Sequence, residues 1–114
     1  MYYINMNKSK ILVVTPTFNE IENIENFVKS VTNLSVDILI VDDNSPDNTA
    51  EKVASLMETN SNLYLLLREK KLGLGSAYRD GFKWAINRNY QKIIEMDADF
   101  SHRIEDLKKL IDFK

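Results

Sequence analysis

Asp97 and Asp99 flank one alanine directly behind the apolar run Ile93-Ile94-Glu95-Met96. If that run is a buried strand, both acids emerge at its end on one side, because side chains alternate with a period of two. Such a pair is a fit for a hard divalent cation. Magnesium and manganese take oxygen ligands and keep positions open for phosphate oxygens, so the spacing points to a metal-bound diphosphate. A solvated turn ahead of a helix would use the same residues, and an isolated Asp-x-Asp is common by chance.

Two other stretches put chemistry at the ends of apolar runs. Asp42-Asp43-Asn44-Ser45-Pro46-Asp47-Asn48 is dense in turn formers, whose side chains bond nearby amides and cap helices. A turn needs only one acid, and the adjacent pair costs mutual repulsion. Asp43 is therefore the candidate to accept hydrogen bonds from a nucleobase or ribose. In Thr15-Pro16-Thr17-Phe18-Asn19-Glu20, Pro16 fixes a strand-to-helix turn and Glu20 is expected in a first helical turn. Phe18 at the loop tip is suited to line a nucleoside pocket. The segment Leu72-Gly73-Leu74-Gly75-Ser76-Ala77-Tyr78 is not a dinucleotide fingerprint, since Tyr78 stands where a third glycine belongs. It reads as a loop opening a helix, with Ala77 and Gly81 packing close to a sheet and Arg79 near phosphates. His102, the single histidine, reads as a surface or capping residue, and Trp84 as core.

These residues need a scaffold that brings strand ends together. Residues 10–15, 37–41, 63–67 and 92–96 form short, nearly continuous Ile/Val/Leu runs, the mark of strands buried on both faces of a parallel sheet. Between them Ile24, Phe27, Val28 and Val31 keep helical spacing, as do Ala50, Val53, Ala54 and Met57, then Tyr78, Gly81, Phe82 and Ala85. A last helix spans 104–113, with Ile104, Leu107, Leu110 and Ile111 inward. Thr17 or Asn19 is the expected cap of the first helix, Asp47 or Asn48 of the second, and Ser101 of the last. The order β-α-β-α-β-α-β-α with right-handed crossovers gives a three-layer α/β sandwich, Rossmann-like, with a mostly parallel sheet. Ligands of such sheets sit beyond the carboxyl ends of the strands, where all three acidic stretches fall.

Composition narrows the partners. At 114 residues the chain is expected to be one domain, 1–114, resembling the front half of something larger. A formal net charge of −2 and mixed Lys and Glu give no basic stripe, so nucleic acid is not an expected partner. The absence of cysteine excludes disulfides, thiolate metal sites and a Cys nucleophile, and fits a cytoplasmic location. No apolar stretch reaches the length of a membrane span.

Taken in order, Val14-Thr15-Pro16-Thr17-Phe18-Asn19-Glu20, Val41-Asp42-Asp43-Asn44-Ser45-Pro46-Asp47-Asn48-Thr49, Leu72-Gly73-Leu74-Gly75-Ser76-Ala77-Tyr78 and Met96-Asp97-Ala98-Asp99-Phe100-Ser101-His102 resemble the family-two glycosyltransferases, dolichol-phosphate mannosyltransferases above all. The resemblance implies the nucleotide-binding half of a GT-A fold, a nucleotide-sugar donor (usually GDP-mannose) and transfer, with inversion, to a polyprenyl phosphate. It further implies that Pro16, Phe18, Glu20, Val41 and Asp43 contact the nucleoside. Asp97 and Asp99 would bind Mg2+ or Mn2+, Ala98 would offer backbone to the nucleotide, and Ser101 stands where some relatives supply a further metal ligand. A lipid acceptor implies peripheral contact at the cytoplasmic face of a membrane. Phe18 replaces the family's usual Tyr, and Arg103-Ile104 follows the histidine where relatives tend to have proline.

Two other classes share parts of this pattern. Ile38-Leu39-Ile40-Val41-Asp42-Asp43-Asn44 is similar to the start of a two-component receiver, in which paired acids hold magnesium beside a phosphorylated aspartate, here Asp97. Against it, the acid pair follows the second strand rather than the first. A nucleotide-binding module that never transfers its ligand is the other alternative.

Overall fold

A computed structural model describes residues 10–70, 72–99 and 104–112. Four strands, β1 (Ile11–Thr17), β2 (Asp37–Asp42), β3 (Leu63–Leu67) and β4 (Lys92–Glu95), alternate with helices α1 (Ile24–Thr32), α2 (Thr49–Met57), α3 (Leu74–Ile86) and α4 (Ile104–Asp112). All strand pairs are parallel, in the order β3-β2-β1-β4. The chain winds outward through β2 and β3, then crosses back to place β4 on the other side of β1. That reversal opens a crevice between the carboxyl ends of β1 and β4.

The near-continuous apolar runs are explained by burial on both faces. Val13, Ile38, Ile40, Ile94 and Met96 pack under Ile24, Phe27, Val28 and Val31 of α1, Val53 of α2 and Leu107 of α4. Leu12, Val14, Leu39 and Val41 face the other way, onto Ala77 and Ala85 of α3. Trp84 is half-buried on that second face, its ring 5.2 Å from Tyr64 and 6.4 Å from Tyr90.

The expected stripes on α2, α3 and α4 shift at particular residues. Thr49 and Val53 are the buried positions of α2, while Ala54 and Met57 are exposed. Ala77, Gly81 and Ala85 are the buried positions of α3, and Phe82 turns outward. Leu107 anchors α4 and Leu110 is half exposed, against the inward place expected for it. In each case a neighbouring row of the same 3.6-residue period faces the sheet. β1 also outruns its expected end: Pro16 lies within the strand, opposite Val41. The carbonyl of Val14 accepts the amide of Met96, so alternate residues of β1 point toward β4. Pro16 shares that parity, but β4 has ended at Glu95, and its missing N–H breaks no ladder bond.

Gly81 is where α3 touches the sheet. A methyl group there would stand 2.5 Å from a Val14 methyl, inside any real contact. Gly81→Ala gains helix propensity of about 1 kcal/mol yet is expected to cost about 1–3 kcal/mol net through overpacking. Urea denaturation reads the loss, and Val14→Ala in the same chain should return most of it.

Candidate functional site

Three loops meet at the carboxyl edge, and side chains hold them in register. Three consecutive amides of the β1–α1 loop are fastened to the β2–α2 loop: Asn19 donates to Ser45 Oγ (2.9 Å), Glu20 to Thr49 Oγ1 (3.0 Å) and Ile21 to Asp47 Oδ2 (3.1 Å). The turn formers after β2 therefore fix the neighbouring loop as well as their own. Asn19, Asn44 and Asn48 all take positive φ there, at 59°, 57° and 71°, a conformation Asn tolerates better than most side chains. Thr17 and Asn19 are not caps, because α1 begins only at Ile24. Glu20 lies in the preceding turn, its carbonyl accepting the amides of Asn23 and Ile24. Asp47 does bond the amide of Thr49 at the start of α2, and Asn48 occupies the cap position without a side-chain bond.

Burial pulls the Asp47 carboxyl upward, but hydrogen bonds from the Thr49 hydroxyl and the Ile21 and Thr49 amides outweigh it and hold its pKa below the usual Asp value. A carboxyl lowered in the folded state stabilises above its unfolded pKa and loses that contribution as pH falls through the lowered value. Acid titration of stability is expected to steepen below about pH 4, with Asp47→Ala less stable at neutral pH and flatter over the same range in urea melts.

The adjacent acids have separate tasks. Asp42, fully buried, accepts the Thr17 hydroxyl (2.6 Å), the Ser45 hydroxyl (2.7 Å) and the Ser45 amide (2.9 Å). Asp43 instead faces Arg68, which grips it with two parallel bonds, Nε to Oδ1 at 2.6 Å and Nη2 to Oδ2 at 2.9 Å. The guanidinium continues to Ser76 Oγ (2.8 Å), Asp80 Oδ2 (3.0 Å) and the Gly73 carbonyl (3.4 Å) at the start of α3. The bonds to Asp43 chiefly raise the Arg68 pKa, outweighing burial, and Asp80 adds to them, so the cation persists at every working pH. Repulsion between the neighbouring acids is offset by this buried cation. Arg68 was not among the sequence candidates, although a cation directly after the third apolar run occupies the same edge as the acids.

Asp97 and Asp99 follow β4 with Ala98 buried between them. Tyr78, on α3, donates its hydroxyl to Asp97 Oδ1 at 3.2 Å. Burial, then Asp97, push the phenol above its ordinary pKa and keep it a donor.

These groups border one cavity of about 340 Å3, lined by Pro16, Thr17, Phe18, Glu20, Asp43, Gly73, Leu74, Ala77, Asp97, Ala98 and Asp99. Seven sequence candidates thus line one cavity. Val41 does not: its side chain is fully buried in the core beneath α3, where it supports the strand end. Arg79 is exposed and outside the cavity. Ser101 and His102 lie outside the described residues. Among the described residues no three His, Asp or Glu side chains group closely enough to hold an ion unaided. Asp97 and Asp99 are hard oxygen donors and fit a Mg2+ or Mn2+ whose remaining ligands come with a diphosphate and water. The receiver arrangement fits poorly, because Asp42 is bonded to Thr17 and Ser45 and the Arg68 cation already sits on Asp43, where it would repel a magnesium ion. Among the described residues no helix is long and apolar enough to cross a membrane.

Comparison with known proteins places the fold and the sequence among relatives. The chain is 42% identical over 106 residues to a polyprenol monophosphomannose synthase of Mycolicibacterium smegmatis, covering 90% of this chain and 40% of that protein. It is 37% identical over 105 residues to an undecaprenyl-phosphate mannosyltransferase of Micrococcus luteus, covering 90% of this chain and 43% of that one. The chain thus spans about two-fifths of the length of these relatives. A mannosyltransferase from Pyrobaculum calidifontis, solved in complex with GDP-Man and Mn2+, shares the fold with a TM-score of 0.63 at 23% identity, over 70% of this chain and 25% of that one. Residues 12–114 match the model of glycosyl transferase family 2, and the chain belongs to that family.

Proposed function

We propose that this chain is the donor-binding unit, a single domain, of a metal-assisted glycosyltransferase that takes mannose from GDP-mannose and passes it, with inversion, to a polyprenyl phosphate. The observation that carries the reading is the shared cavity: Pro16, Phe18, Glu20 and Asp43 on one wall and Asp97, Ala98 and Asp99 on the other. Its volume falls in the range of small-ligand sites. The relatives' names, and the GDP-Man and Mn2+ in the related structure, support the donor and the cation.

Each wall has its part. Phe18 and Pro16 offer apolar surface to a nucleoside. Asp43 keeps lone pairs beyond those Arg68 uses, so it accepts from base N–H groups while its orientation stays fixed. Asp97 and Asp99 would hold Mg2+ or Mn2+, with Ser101 at the position where some relatives supply a further ligand. When bound, the cation supplies Lewis-acid stabilisation of the departing diphosphate. A phosphate monoester acceptor is largely dianionic near neutrality, its second pKa being about 6. It attacks the anomeric carbon without a strong base, and no residue is assigned that role. A lipid acceptor calls for a working position at a membrane surface.

Calorimetry with GDP, UDP, ADP and CDP, with and without manganese, tests the reading. GDP with metal is expected to bind tightest, and equal binding of all four without metal would count against it. Transfer of label from GDP-mannose to a polyprenyl phosphate separates an enzyme from a module that binds donor and stops there.

A further inference from the structure

The first turns of α3 reach both walls of the cavity. Ser76 and Asp80, four residues apart and so on one side of the helix, hold Arg68 against Asp43. Tyr78 leaves the helix on another side and donates to Asp97 Oδ1 at 3.2 Å. Its ring is half-buried and packed on Leu12, Val14 and their neighbours, so the hydroxyl is delivered from a fixed base. About one turn further on, Gly81 lies against Val14, which sets how close α3 comes to the sheet.

We infer that Tyr78 is a positioning residue for the metal side of the site: its hydroxyl fixes the Asp97 carboxylate so that the cation meets an already oriented ligand. The inference rests on the reading of Asp97 and Asp99 as metal ligands and extends it to a residue that reaches neither cation nor nucleotide itself. A carboxylate whose oxygens are not oriented in advance loses rotational freedom when the cation arrives. One oxygen held by a phenol on a packed ring lowers that cost, and hydrogen bonds behind metal ligands are worth about 10- to 100-fold in affinity. Sequence alone conceals this, because Tyr78 in the stretch after Gly73 and Gly75 looks like one more apolar helix position.

Tyr78→Phe deletes the hydroxyl and keeps the ring. Manganese binding in the presence of GDP, followed by electron paramagnetic resonance of the free ion, is expected to weaken by about 10-fold or more. GDP binding in chelator should match wild type, and the thermal midpoint should move by no more than a few degrees. Tyr90→Phe is the control, since it removes a comparable bond, Tyr90 to Asp37 at 2.6 Å, at the amino end of β2; its manganese affinity should be unchanged. Wild-type metal affinity in Tyr78→Phe overturns the inference and leaves the metal site standing. A wild-type chain whose GDP binding ignores manganese overturns the site and the inference together.

Discussion

Arg68→Ala is expected to cost about 3–5 kcal/mol of stability, because it strands a buried carboxylate. Asp43 is 6% exposed and both its oxygens bond the guanidinium, so without Arg68 the acid is left in a poorly solvated place without its cation. Domains of this size have about 5–15 kcal/mol in all, and the variant should unfold at a much lower urea concentration. The ion pair is not needed for stability as such. Asp43→Leu combined with Arg68→Met replaces it with apolar groups of similar bulk, which is often neutral or better. That double variant is expected to recover much of the lost stability in urea while failing to bind GDP in calorimetry. Recovery of both would remove Asp43 from the nucleoside wall; recovery of neither would mean that the Ser76 and Asp80 bonds matter more than the pair.

Asp99→Ala is expected to abolish the manganese-dependent part of GDP binding with little change in fold. Asp99 is exposed and sits in the loop after β4, outside both packed faces of the sheet. Surface substitutions of this kind usually lie within about 0.5 kcal/mol of neutral, so melting should be nearly unmoved. On the proposed reading one carboxylate ligand is then gone, and a cation that takes most of its shell from phosphate and water loses its tether. Calorimetry in manganese should then give the affinity measured in chelator. A variant that keeps full metal dependence would shift the cation onto other donors.

The scaffold was largely legible in the residues, and the reason is burial. Strands covered on both faces must be apolar throughout, so Ile38 to Val41 and Leu12 to Val14 announce themselves. Helix faces were less certain, because adjacent rows of the same period are both apolar: Ala77 and Gly81 were expected against the sheet and lie there, whereas Phe82, expected on the inward stripe, turns outward. The β1 boundary was misplaced by treating Pro16 as a stop, which depends on whether a neighbour still needs its amide. Asp43, Asp97 and Asp99 were visible as acids at strand ends. Arg68 was hidden because the end of the third run was not read for charge, and Tyr78 because hydrogen bonds across 19 residues leave no local pattern.

Paramagnetic broadening by manganese in the presence of GDP, mapped on amide resonances, bears most directly on the convergence of the three loops. As manganese is added in trace amounts, resonances of Phe18, Asp43, Gly73, Ala98 and Asp99, which border one cavity, should broaden first, while those of Lys92 and Ile11, paired at the far end of the sheet, broaden last. Broadening that spares Phe18 and Asp43 while centring elsewhere, or that spreads evenly over the chain, would contradict a single cation site shared by these walls.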